Sequence, residues 1–214
     1  RCRYVNQTEF WRGALGGCIK SEGTVCHVVP CAQRCVAALC SDTAPVLETL
    51  EATLVLQSVR GRRVVPIADY YQADGTRHTA RADDEIVTEV RLPVPRGPRR
   101  SRYVKWTVRG SIDFPLVSLA LRFDLAEDRA DAPIVHACVV VGVLGARPRS
   151  LAGLDSLRGR ALTDPGTADT VAQAVARQCR PLENVPYDAA YRRAVLPVHA
   201  RRAVEALAAA PLRP

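Results

Sequence analysis

Methionine is absent from this chain of 214 residues, and lysine occurs only at Lys20 and Lys105 although Lys and Arg together number 30. No run of about eighteen apolar residues is present, so no membrane span is expected. The opening Arg1-Cys2-Arg3-Tyr4 carries neither a methionine nor an apolar signal core, and the chain reads as a processed product or a fragment of a longer one. No Ser/His/Asp arrangement, paired-carboxylate motif or Walker loop occurs. Gly16-Gly17 runs straight into Cys18 and does not open a helix as a phosphate cradle would. His27, His78, His136 and His199 stand apart from one another, so no catalytic residue is assigned. Acidic charge is in short supply, leaving a net +8, but the arginines are dispersed. Their densest run, Arg96 to Arg102, is broken by Gly97 and Pro98 and reads as a connector, which speaks against a nucleic-acid partner. The Arg, Ala and Val bias fits a GC-rich coding sequence.

What the chain does have is ordinary globular composition, 48% hydrophobic and 24% charged, with cysteine concentrated at one end. Six of its eight cysteines fall in the first forty residues, at Cys2, Cys18, Cys26, Cys31, Cys35 and Cys40; Cys138 and Cys179 stand alone. Secreted disulfide domains are usually short and spread cysteine throughout, so this distribution favours a metal site in a reducing, cytoplasmic compartment. Structural zinc knuckles pair two cysteines across two to four residues, twice. Here Cys31-x3-Cys35 meets that spacing and lacks a mate. Loosely spaced thiolates suit an iron–sulfur cube better, because its size lets ligands converge from separate segments. Spacing alone leaves zinc, disulfides and plain structural thiols open. His27 beside Cys26 reads as a loop residue, and Asp83-Asp84-Glu85 as a solvated charge run before a strand.

Along the chain, Cys31–Leu39 could form two helical turns, and Ser41–Pro45 reads as a turn and cap before a helix at Val46–Leu50. A hairpin is expected from Thr53–Val59 and Arg63–Ile67 around Arg60-Gly61-Arg62, then a half-buried strand at Ile86–Leu92. Pro93–Pro98 is the best linker candidate. Arg102–Val108, Leu116–Leu125 and Ile134–Leu144 read as strands, the last two central. Asp169–Cys179 and Tyr187–Leu207 read as helices, the second interrupted near Pro197. Strands followed by helices give an α+β layer arrangement.

The runs SDTAPVLETLEATLVLQSVRGRRVVPIADYY, DDEIVTEVRLPVP, YVKWTVRGSIDFPLVSLALRF, GVLGARPR and NVPYDAAYRRAVLPVHARRAVEAL follow one another over residues 41–214. In that order they resemble the FAD-binding subunit of the xanthine dehydrogenase family of molybdenum hydroxylases. The segment ahead of them, with Arg1-Cys2-x-Tyr4-x-Asn6-Gln7, Phe10-Trp11-Arg12 and then Cys26-His27-Val28-Val29-Pro30, resembles the insert of 4-hydroxybenzoyl-CoA reductase β subunits, which carries a 4Fe–4S cluster.

The resemblance implies cluster ligands at Cys2, Cys18, Cys26 and Cys35, with Cys31 and Cys40 as additional cysteines that could replace Cys35. It implies an FAD role for Asp42, near the ribityl and phosphate region, and for Lys105, near the isoalloxazine ring. The competing expectations are a helix cap for Asp42 and a snorkelling surface lysine for Lys105. It further implies an iron–sulfur insert over residues 1–40, the rest of an FAD domain over 41–95 and an α+β flavoprotein C-terminal domain over 96–214. Partners would be a molybdopterin-binding large subunit, a 2Fe–2S small subunit and a ferredoxin-like donor. Two glycine-rich loops for the FAD pyrophosphate would precede Arg1, so these residues alone are expected to hold FAD weakly or not at all. A zinc-binding or metal-free FAD subunit of another molybdenum hydroxylase, and a zinc-stabilised interaction module, remain as alternatives.

Overall fold

Apolar residues at alternate positions of the strand Val117–Leu125 put Val117, Leu119, Leu121, Phe123 and Leu125 on one face, all buried. In the computed structural model, which describes residues 1–210, this strand is the centre of the larger of two antiparallel sheets. In chain order the elements are α1 (Glu9–Ala14), α2 (Thr43–Thr49), β1 (Thr53–Ser58), β2 (Gly61–Pro66), α3 (Ile67–Tyr70), β3 (Ile86–Arg91) and β4 (Arg99–Trp106). They continue with β5 (Val117–Leu125), β6 (Ile134–Gly142), β7 (Arg149–Ser150), a single 3-10 turn at Leu154–Leu157, α4 (Pro165–Gln178) and α5 (Ala189–Ala209). The larger sheet has the order β4-β5-β6-β7 and the smaller one β2-β1-β3. The architecture is α+β, as the pattern of strands and then helices implies.

Strand β5 is buried on both faces. Its Leu and Phe side chains pack with Val139 and Val141 of β6 against Val171 and Val175 of α4 and Leu196, Val204 and Leu207 of α5. The opposite face, with Ser118, Ala120 and Arg122, is covered by α2. Helix α4 starts with Pro165 at its first position and Asp164 as cap, the Asp164 carboxylate accepting from the Gly166 N–H at 2.8 Å. Asp188 caps α5 by accepting from the Tyr191 N–H.

Several expectations change. Residues 31–40 contain no helix; Cys31 has φ 61° and the segment runs on as extended chain, tied by Ala38 N–H to Arg1 O and Leu39 N–H to Gly145 O. The hairpin turn sits at Val59–Arg60, with Gly61 (φ 130°) opening β2 in a conformation that costs other residues more. Strand β3 is exposed along its whole length, because it pairs along β1 as a sheet edge and has no covering layer. Glu85 of the supposed solvated run is buried, and its carboxylate accepts two hydrogen bonds from Arg63, at 2.6 and 2.8 Å. Helix α5 passes through Pro197 without a break. Its burial of Leu196, Ala200, Ala203, Val204 and Leu207 outweighs one missing backbone bond. Pro197→Ala is expected to stabilise the fold by roughly 2 kcal/mol, the gain from the restored N–H less the looser unfolded chain. Urea melts with an unchanged or lower midpoint would contradict this. Among the described residues no helix is long and apolar enough to cross a membrane.

Candidate cofactor sites

The first site is built from the Cys-rich segment. Cys2, Cys18, Cys26 and Cys35 line one small cavity with an apolar wall, together with Tyr4, Val5, Ile19 and Val28. Cys31 is exposed outside it. Cys40 packs elsewhere, with Ala38, Val143 and Val185. Of the six clustered cysteines, the structure therefore gathers the four expected as ligands and leaves out the two additional ones.

Each of the four is held by local chain geometry. Asn6 closes a turn on Cys2, its side-chain carbonyl accepting from the Cys2 N–H at 2.9 Å. Cys18 opens a tight loop in which Ser21 N–H donates to Cys18 O at 2.7 Å and Gly23 N–H to the same oxygen at 2.9 Å. A Cβ on Gly23 would lie 2.6 Å from the Cys18 nitrogen, so this loop demands glycine there. Cys26 Sγ accepts from Val29 N–H at 3.5 Å and Cys35 Sγ from Ala37 N–H at 3.4 Å. Backbone donors of this kind tune sulfur-ligated clusters. Gly75 N–H donates to Cys35 O at 2.8 Å, and a Cβ on Gly75 would stand 2.8 Å from Cys35 Sγ. Burial pushes the Cys35 thiol up, opposed by the Ala37 N–H.

His27 is not part of this donor set. Its Nε2 lies 2.7 Å from Gly17 O, which can only accept, so that nitrogen carries the proton, and its ring stacks near Tyr4 at 5.2 Å. Among the described residues, no three His, Cys, Asp or Glu side chains meet closely enough to hold one metal ion.

The second site lies where α2 meets the larger sheet. Asp42 leads into α2 but does not cap it; the Ser41 hydroxyl does, accepting from Ala44 N–H at 3.1 Å. The Asp42 carboxylate instead accepts from Lys105 Nζ at 2.7 Å and from the Tyr103 hydroxyl at 3.0 Å. Tyr103 and Lys105 are two apart on β4 and so share a face. Burial and the Asp42 carboxylate both push the Tyr103 phenol up, keeping it a donor. Asp42 thus stands at the N-cap position without a side-chain cap bond, and Lys105 is an exposed lysine whose ammonium is paired with Asp42. A cleft of about 560 Å3 is lined by Ser41, Cys40, Phe114 and Gly75 among others and shares Lys20 and Ala37 with the cysteine cavity.

The C-terminal part of the chain holds the Cys-rich segment in place. Asn184, fully buried, donates to Val36 O at 2.8 Å, and its carbonyl accepts from Arg3 N–H at 2.6 Å, pinning the Cys-rich segment.

Residues 11–95 match the family described as the FAD binding domain in molybdopterin dehydrogenase, and residues 102–207 match the CO dehydrogenase flavoprotein C-terminal domain. The chain carries an FAD-binding domain of the molybdopterin dehydrogenase type followed by a CO dehydrogenase flavoprotein C-terminal domain. It is 32% identical over 91 residues to the nicotinate dehydrogenase FAD-subunit of Eubacterium barkeri, covering 41% of the chain and 31% of that protein. It is 29% identical over 169 residues to the glyceraldehyde dehydrogenase medium chain of Sulfolobus acidocaldarius, covering 78% and 57%. Its fold superposes on a chain of cyanide-inactivated Cu,Mo-CO dehydrogenase with a TM-score of 0.67 at 27% identity, covering 78% of this chain and 56% of that one. The chain thus spans little more than half the length of the longest-matched relatives. Its FAD-domain match begins inside the Cys-rich segment.

Sequence reasoning named Asp42, Lys105 and the four cavity cysteines. It missed Tyr103, Gly75, Lys20 and Asn184. Tyr103 was legible in principle, two residues from Lys105 on a strand; Gly75 and Asn184 carry no local signal, since their partners lie 40 or more positions away.

Proposed function

We propose that this chain is the FAD- and iron–sulfur-bearing electron-transfer subunit of a cytoplasmic molybdenum enzyme of the 4-hydroxybenzoyl-CoA reductase type. The observation that carries this reading is the sharing of one apolar cavity by Cys2, Cys18, Cys26 and Cys35. Four cysteines in one cavity supply the thiolate set that a 4Fe–4S cube takes, one to each iron. The same four would also serve one tetrahedral zinc, and metal analysis separates the two. In this reading residues 1–40 form the cluster insert, 41–95 the remainder of the FAD domain and 96–214 the C-terminal domain.

When bound, the 4Fe–4S cluster and FAD supply electron transfer between a ferredoxin-like donor and the 2Fe–2S and molybdenum centres of a small and a large partner subunit, where the phenolic hydroxyl of 4-hydroxybenzoyl-CoA is removed as water. The chain's own residues do the holding. The cavity cysteines provide soft donors in a dry pocket, Val29 and Ala37 donate to two of the sulfurs, and Asn184 fixes the segment that carries them. Asp42, Tyr103 and Lys105 form a hydrogen-bonded trio. In this reading Lys105 would supply a cation to the flavin ring and Asp42 a polar group to the ribityl chain. No side chain of this subunit is assigned to the substrate.

A second reading has support from the relatives, whose names point to nicotinate and glyceraldehyde as other substrates. There the subunit is the FAD component of a different molybdenum hydroxylase, and its cysteines hold zinc or nothing. Iron and acid-labile sulfide analysis of the anaerobically purified full-length subunit, with EPR after dithionite, separates the two. About four iron and four sulfide per chain support the reductase reading; zinc, or no metal, overturns it. For the flavin, Lys105→Met is expected to lower the reduction potential, because the lost cation favoured added negative charge on the ring. Dye-coupled reductive titration giving an unchanged potential would dismiss Lys105 from that role.

A further inference from the structure

We infer that Lys20 is a positioning residue that sets the charge environment of the four-cysteine cavity and favours the reduced state of the cluster bound there. The inference rests on the iron–sulfur reading above. Three observations carry it. Lys20 lines the cysteine cavity and also the neighbouring cleft toward Ser41 and Phe114. Its ammonium donates to Gly75 O at 2.5 Å, and Gly75 is close enough to Cys35 that an added Cβ would stand 2.8 Å from its Sγ. That hydrogen bond spans 55 positions and fixes an otherwise mobile, exposed ammonium beside the cavity.

The chain supports the choice of residue. Lysine appears twice among 30 basic residues, at Lys20 and at Lys105, and each lies at one of the two candidate sites. An ammonium is a compact point charge whose three donors can turn toward one carbonyl, whereas a guanidinium spreads its charge over a planar fork. A cluster on four thiolates is anionic and gains negative charge on reduction, so a fixed neighbouring cation stabilises the reduced form more than the oxidised one. A carboxylate opposes this cation: Asp74 accepts from the Cys35 N–H at 3.2 Å and from Thr76. Arg34 also acts on Asp74, so removing Lys20 takes away one of the cations near this carboxylate and not the last. Because Lys20 is partly in solvent, its influence is screened by salt.

The test is an EPR-monitored redox titration of the full-length subunit as wild type, Lys20→Gln and Lys20→Arg. Glutamine keeps a donor for Gly75 O and drops the charge; arginine keeps the charge. In K20Q the reduced-to-oxidised ratio of the cluster at fixed potential is expected to fall at least threefold, a downward shift of about 28 mV on the scale of 59 mV per decade for one electron. The shift should shrink as salt is raised from 0.05 to 0.5 M, and K20R should stay within twofold of wild type. A K20Q cluster with the wild-type midpoint overturns the inference, as does a K20Q protein that binds no iron while K20R does, which would make Lys20 an assembly residue. A wild-type subunit without iron and sulfide instead removes the iron–sulfur reading itself, so the two failures are distinguishable.

Discussion

Cys35→Ser in the full-length subunit is expected to abolish the iron–sulfur centre, taking iron from about four per chain to near zero and erasing the dithionite-reduced EPR signal. Cys31→Ser should leave both intact. The contrast follows from position. Cys35 is 7% exposed, lines the shared cavity and has its sulfur fixed between the Ala37 N–H and Gly75. Cys31 is exposed at a positive φ outside that cavity. A serine oxygen is a harder donor than a thiolate and cannot replace it well on iron. Flavin content should be unaffected by either change, because Asp42, Tyr103 and Lys105 belong to the other site. Retention of iron in Cys35→Ser with loss in Cys31→Ser would reverse the ligand assignment and require the 31–35 segment to rearrange on cluster binding.

The second large effect concerns Arg122, which is 2% exposed at the middle of β5. Its guanidinium donates to Thr49 O at 2.7 Å and to Glu51 Oε1 at 2.8 Å, both just before β1, and also to His136 Nδ1 at 3.1 Å on β6. Asp124 lies 3.3 Å away. One side chain thus joins the α2–β1 junction to the larger sheet. Arg122→Ala strips the buried Thr49 carbonyl and the Glu51 carboxylate of this donor, removes the cation beside Asp124 and opens a cavity, for an expected loss of roughly 3–5 kcal/mol. Arg122→Met, which refills the volume, should lose clearly less. Denaturant unfolding of both variants, set beside the exposed surface pair Arg62–Glu89 as a control worth at most about 1 kcal/mol, checks the order. Equal losses for Arg122→Ala and Arg62→Ala would show that the junction is not held by this residue.

Strand and helix placement was legible because it depends on local periodicity. Leu116–Leu125 and Ile134–Leu144 read as central strands and became β5 and β6; the helical spacing after Asp169 became α4. Where the reading went astray, a distant partner was the cause. Cys31–Leu39 has helical spacing, yet its backbone is taken up by Arg1 and Gly145, so it stays extended. Glu85 looks solvated until Arg63 reaches it from β2. Asp42 looks like a cap until β4 brings Tyr103 and Lys105 alongside.

Cysteine count and spacing pointed to a thiol-rich segment and the order of strands and helices to an α+β chain, since composition and short-range pattern are properties of neighbouring residues; the flavoprotein reading came from the resemblance of the ordered motifs. Which thiols share a cavity is a different kind of question. Cys2 and Cys35 are 33 positions apart, and their meeting depends on Asn184 holding Val36 from 148 positions away and on Gly75 leaving room for a sulfur. Those conditions are set by packing among segments remote in the chain, and no local rule encodes them. The fold alone separates the four enclosed cysteines from the two left outside.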